Sequence, residues 1–151
     1  MAIKPVNTEN LTVLQELYRK FWTKFNHISS SNEDFSKEFK VHKIPSIRYY
    51  QDYSVGKCYQ ICIKINFKQE LVAIQAYFNN MSVYSDFFFK HRDRIELMIG
   101  KRLIWEEKTT KGYAQLNLNI SSSINDMANW DNICNEIIPN AVSMKRVFEL
   151  F

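Results

Sequence analysis

A chain of 151 residues with 46% hydrophobic and 15% aromatic side chains has the material for one folded domain that hides roughly 70% of its unfolded surface, which excludes a disordered chain. Its three glycines, Gly56, Gly100 and Gly112, lie far apart, so neither a P-loop nor a G-x-G-x-x-G turn can be built. A formal net charge of +4 permits contact with nucleic acid without requiring it, and no apolar run nears the ~20 residues of a membrane span.

The first ten residues, MAIKPVNTEN, lack the apolar stretch of a signal peptide. With three cysteines, which suit a reducing compartment, they point to the cytoplasm. Residues 8–27 read as a helix, because Leu11, Leu14, Leu17, Tyr18, Phe21, Trp22 and Phe25 recur at three- and four-residue steps. Asn7 or Thr8 can cap its start. A polar break at His27–Asp34 leads to a short helix near Asp34–Lys40. Pro45 argues against further helix, and a first strand is expected over Ser46–Tyr53.

The stretch Cys58–Phe78 is the clearest hairpin. Tyr59, Ile61, Ile63, Ile65 and Phe67 alternate with Cys58, Gln60, Cys62, Lys64 and Asn66, and Val72, Ile74, Ala76 and Phe78 supply the matching apolar face of the partner strand. The other face is mixed, which suggests cover by a further layer or a second copy of the chain. Cys58 and Cys62, four apart on one strand, stand about 13 Å from each other, too far for a disulfide.

A helix over Ser82–Ile99 is expected next, capped by Asn79 or Asn80 and ended by Gly100. Tyr84, Phe87, Phe88, His91, Ile95, Met98 and Ile99 form its apolar face, with Phe89 roughly 140° away and therefore exposed. Leu103–Glu107 and Tyr113–Ile120 read as a second hairpin. A last helix begins near Asp126, carries Trp130, Ile133, Cys134, Ile137 and Ile138, and should kink or split at Pro139. The order α-β-ββ-α-ββ-α does not alternate strictly. It predicts a single α+β domain over 1–151, an antiparallel sheet of about five strands with helices packed on one face.

Several short motifs fall in a characteristic order: Phe21-Trp22-Thr23-Lys24-Phe25, Ser54-Val55-Gly56-Lys57, Ile65-Asn66, then Ile95-Glu96, Gly100, Leu103, Trp105 and Glu106, and finally Asn129-Trp130 and Val147-Phe148. In this the chain resembles the prokaryotic domain of unknown function 4268, from about Leu14 to Phe148. Arg92 stands where that family usually has Lys, and the family's Gly after the S-I-G-R element, here Ser54–Lys57, is absent. The resemblance implies a fold and a neighbourhood near DNA-processing or defence systems. Many members carry a nuclease-like domain upstream, and none is expected within these residues. It supplies no reaction.

Candidate chemistry is sparse. Glu106-Glu107-Lys108 is an E-x-K at a strand end, where restriction-type nucleases hold a metal, with Asp52 as the one plausible second acid. An exposed strand end explains the same tripeptide. The three His and three Cys lack metal-ligand spacing, so no catalytic residue, metal or cofactor is assigned. Basic residues are more suggestive: Lys40, Lys43, Arg48 and Lys57 near the start of the sheet, Lys90, Arg94 and Lys101 on the middle helix, and Lys108 and Lys111 on the second hairpin. Gathered on one surface, with Tyr49, Tyr50 and Tyr53 between them, they would contact phosphates; scattered, they are solubilising charges. The favoured reading is a non-enzymatic accessory or binding module with DNA or RNA as its first partner. The alternatives are a homodimerising or protein-binding domain using Phe89 and Phe151, and a metal-dependent nuclease.

Overall fold

The computed structural model of the protein describes residues 10–55, 58–121 and 123–151. Five helices and five strands follow in the order α1 (Val13–Ser30), α2 (Glu33–Glu38), β1 (Tyr50–Ser54), β2 (Tyr59–Asn66), β3 (Leu71–Phe78), α3 (Met81–Asp86), α4 (Arg92–Ile99), β4 (Ile104–Lys108), β5 (Tyr113–Ser121) and α5 (Trp130–Phe148). The strands form one antiparallel sheet in the order β1-β2-β3-β5-β4, with the helices against one face. The α+β architecture expected from the order of elements is therefore what forms.

Helix α1 starts later than the apolar spacing suggests. Thr12 and Gln15 make a capping box: the Thr12 hydroxyl accepts the Gln15 N–H at 3.1 Å, and the Gln15 side-chain oxygen accepts the Thr12 N–H at 3.0 Å. This satisfies two of the helix's orphan donors, so Leu11 lies outside the helix and Leu14 is exposed. The caps expected at Asn7 or Thr8 fall outside the described residues. Phe21, Trp22 and Phe25 are fully buried, and the Trp22 indole donates to the Arg48 carbonyl at 2.8 Å. That bond fixes the segment leading into β1, which begins at Tyr50 rather than at Ser46.

The two hairpins form as their alternation predicts. Ile61, Ile63 and Ile65 of β2 pair with Ala76, Ile74 and Val72 of β3, and these with Leu116, Leu118 and Ile120 of β5, all facing the helices. Glycine-free Phe67–Glu70 closes the first hairpin by placing Glu70 at φ +50°. The Asn66 side chain accepts the Gln69 N–H at 2.9 Å, and Asn125 donates to the Phe67 carbonyl at the same distance, which holds this unusual backbone.

The middle helix is not one uninterrupted helix over Ser82–Ile99. Between α3 and α4 lies a π turn, Phe87–His91. At 100° per residue Phe87 and Ile95 would lie about 80° apart; the wider π turn absorbs residues without advancing the face, and both side chains are buried. Met98, expected on the apolar face, is exposed. Asn80 caps α3, and Gly100 at φ +75° ends α4.

Pro139 does not split the last helix: α5 runs through it from Trp130 to Phe148. Pro139 is on the solvent side, while Ile137, Ile138, Ala141 and Val142 are buried. Only one helical hydrogen bond, to the Asn135 carbonyl, is forgone. Tertiary packing of the opposite stripe outweighs that loss.

Candidate functional site

Because the helices occupy one face, the alternate residues of every strand line the other, and no second layer covers it among the described residues. Three rows cross it. Ser54, Gln60, Tyr77, Gln115 and Glu106 are successive neighbours in the first; Asp52, Cys62, Gln75, Asn117 and Ile104 in the second; and Tyr50, Lys64, Ala73 and Asn119 in the third. Strand alternation alone turns these side chains away from the core.

The face is polar and internally bonded. The Gln75 amide donates to Gln115, whose own amide donates to Glu106 at 2.8 Å, and Lys108 pairs with Glu106. The Lys108 ammonium, with help from the Gln115 amide, holds the Glu106 carboxyl below its ordinary value. Gln75 is only 4% exposed although no helix covers it, its amide bonded to Gln115. Cys62 beside it is similarly buried, and burial, then the Asp52 carboxylate, pushes its thiol well above the usual range. A thiol so disposed is a packing group and not a nucleophile.

Tyrosines stand at both ends of this surface. Tyr77 and Tyr113 lie with ring centroids 5.0 Å apart at one end, Tyr49 and Tyr50 at 4.8 Å at the other. Between them is a shallow depression of about 250 Å³, lined by Tyr49, Tyr50, Asp52, Cys62, Lys64, Gln75 and Tyr77 among others. It adjoins a second, of about 480 Å³, which shares Tyr49 and Lys64 and extends toward Asn66 and Asn119. The Arg48 guanidinium donates to the Tyr50 hydroxyl at 3.0 Å, so it too borders the face. Tyr53, grouped with Tyr49 and Tyr50 by sequence, belongs to the core instead: its hydroxyl meets the Gln51 amide on the helix side.

The basic residues do not converge as one group. Arg48 and Lys108 border the open face, but Arg48 just precedes β1 and Lys108 ends β4, two strands that are four strand spacings or about 19 Å apart. Lys40 and Lys43 are exposed on the segment between α2 and β1, and Lys111 is exposed on the turn between β4 and β5. Lys90 pairs with Asp86 at 3.3 Å on the middle helix, Arg94 lies over the Phe151 ring at 5.2 Å, and Lys101 follows α4. Lys57 lies outside the described residues. Lys64, which sequence reading passed over, is the basic residue that β2 puts on the face, directly beside Tyr50. Its signal was present in the alternation of Gln60, Cys62 and Lys64 with the isoleucines.

The two proposed interface aromatics also part. Phe89 is 79% exposed. Phe151 is occupied within the chain, its ring 4.6 Å from that of His91. Asp52 and Glu106, which the nuclease reading needs side by side, sit on the opposite edge strands. Among the described residues, no cluster of three His, Cys, Asp or Glu is placed to hold a metal ion, and no helix is long and apolar enough to cross a membrane.

A two-layer α+β protein with an open-faced antiparallel sheet that bears tyrosines and amides is the class that fold and surface define. The chain belongs to the family described as Domain of unknown function (DUF4268), whose model matches residues 17–151. No curated protein and no solved structure matches it. The motifs on which the sequence resemblance rests are mostly structural: Phe21, Trp22 and Phe25 are core, the Trp105 indole donates to Glu96 at 2.8 Å, and the Trp130 indole donates to the Ile124 carbonyl at 2.7 Å. Glu106 is the motif residue of the α4–β4 stretch that reaches the open face.

Proposed function

We propose that this domain is a non-enzymatic accessory module, acting in the cytoplasm of a prokaryotic cell, that binds nucleic acid on the open face of its sheet. The observation that supports this is the face itself: broad, polar, flanked by tyrosine pairs, with Lys64 on it beside Tyr50 and Arg48 at its border. Base-stacking platforms combine aromatic and cationic groups in this way. A protein-binding surface would be expected to carry an apolar centre, where this one has Gln75 and Asn117. The test is fluorescence anisotropy with labelled DNA and RNA, single-stranded and duplex. Binding at ~50 mM salt that weakens as salt rises is expected; no binding to any of them at that salt overturns the reading.

A second reading, self-association, rests on Phe89, whose exposed ring stacks edge-on against Phe88 at 5.0 Å. Sedimentation at high protein concentration separates the two, since a dimer abolished by Phe89→Ser would place the interface on the helical side.

A further inference from the structure

Resting on the nucleic-acid reading above, we infer that the occupant of this face is an unpaired strand, held by stacking on Tyr50 and Tyr77 with its backbone passing Lys64. Tyr50 on β1 and Tyr77 on β3 both point to the open side, two strand spacings apart across the sheet and four residues apart along it. That separation is about 17 Å on the diagonal. The depression of about 250 Å³ runs between them, with Tyr49, Tyr50 and Lys64 toward one end and Tyr77 toward the other.

Three features select a single strand over a duplex. A flat sheet face offers no protruding element to enter a groove, and it does offer the aromatic rings that only unstacked bases can use. The charges are few: Glu106 is already paired with Lys108, and Asp52 lies beside the Cys62 thiol, which leaves Arg48 and Lys64 for phosphates. Two cations are too few to anchor a duplex, whose affinity comes chiefly from phosphate contacts. Asp52, on β1 beside the row of Tyr50 and Lys64, repels a phosphate on its own side and steers the backbone toward Lys64. The Gln75–Gln115 amides are spent on each other and on Glu106, so they provide a polar floor for base edges without enforcing one sequence.

This assignment makes a quantitative statement about salt. With two phosphate contacts the slope of log affinity against log salt should be about −1.4, from ~0.7 per contact on a single strand. Removal of one stacking ring should weaken binding about 5- to 150-fold, the equivalent of ~1–3 kcal/mol per stacked base.

The experiment is anisotropy with a fluorescein-labelled oligothymidylate of about a dozen nucleotides, and with the same strand annealed to its complement. It is run for the wild type, Tyr50→Ala, Tyr77→Ala and the ring-preserving Tyr50→Phe and Tyr77→Phe. Expected are at least tenfold preference for the single strand, loss in both Ala variants, near-wild-type affinity in both Phe variants, and the shallow salt slope. Circular dichroism melts equal to wild type show that the surface substitutions leave the fold intact. Should an Ala variant melt early, Lys64→Gln with its expected drop of one contact in salt slope takes its place. Equal or tighter duplex binding, or Ala variants that bind as wild type, overturns the single-strand assignment while leaving the broader nucleic-acid reading standing. No binding of either probe removes both.

Discussion

Gln51 is the position at which the structure makes its sharpest stability prediction. It is buried on the helix side of β1, 2% exposed, in a sheet whose inward residues are otherwise almost all apolar. Its amide nitrogen donates to Asn26 at 2.8 Å and to the Tyr53 hydroxyl at 2.9 Å, and its oxygen accepts from Asn26 at 3.2 Å and from the Ser46 N–H at 3.3 Å. Gln51→Leu keeps the volume and abolishes all four bonds, leaving the buried Asn26 side chain without its Gln51 partner. At ~1 kcal/mol for each bond, the loss is about 4 kcal/mol. Asn26→Leu removes only two bonds and leaves Gln51 with Tyr53 and Ser46, so about 2 kcal/mol is expected. The double variant should cost less than the sum by about 2 kcal/mol, because the pair's shared bonds are counted twice in the singles. Urea unfolding followed by tryptophan fluorescence measures all three, with an unchanged slope as the check on two-state behaviour. A Gln51→Leu loss below that of Asn26→Leu would refute the reasoning, since it would mean that the bonds to Tyr53 and Ser46 contribute nothing.

Two further outcomes follow from local chemistry. Pro139→Ala restores the N–H that the Asn135 carbonyl lacks and removes no buried contact, because Pro139 is exposed; a gain of about 1–3 kcal/mol in urea unfolding is expected. Burial, with the Glu149 carboxylate adding to it, pushes the Tyr59 hydroxyl from 10.0 up to about 12. The neutral phenol is the form the fold favours, so its contribution is whole below pH 10 and disappears as pH rises through about 12. Alkaline unfolding tracked by tyrosinate absorbance should therefore begin above pH 10, and Tyr59→Phe should shift that onset upward.

The alternation of isoleucine with polar residues in β2, and of Ala114, Leu116, Leu118 and Ile120 with polar residues in β5, makes the two hairpins legible, because a period of two has no competing explanation over eight residues. The π turn was not readable. Tyr84, Phe87, Phe88, His91 and Ile95 satisfy an ordinary helix nearly as well, and the wider turn emerges only when Phe87 and Ile95 must both reach the core. The split that Pro139 suggests does not occur for a related reason: its local cost is real, but the buried stripe Ile137, Ile138, Ala141 and Val142 keeps the helix continuous. The open face was half legible. Its residues were visible as the hydrophilic partners of the core positions, and Lys64 among them was passed over. Whether the lysines of the first and second hairpin regions meet depends on strand order, and β5 lies between β3 and β4, which no spacing along the chain reveals.

The two ends of the sheet differ in a way that bears on how the domain can be joined to others. At β1 the His42 ring reaches the outward carbonyl of Asp52 at 2.6 Å, so that margin is already taken. At β4 no strand lies beyond Ile104–Lys108 among the described residues, and Glu106, Glu107 and Lys108 guard the exposed backbone by charge. A sixth strand grafted from a fused neighbour would therefore have one berth, beside β4, and its sequence would need a cation facing Glu107 to be admitted.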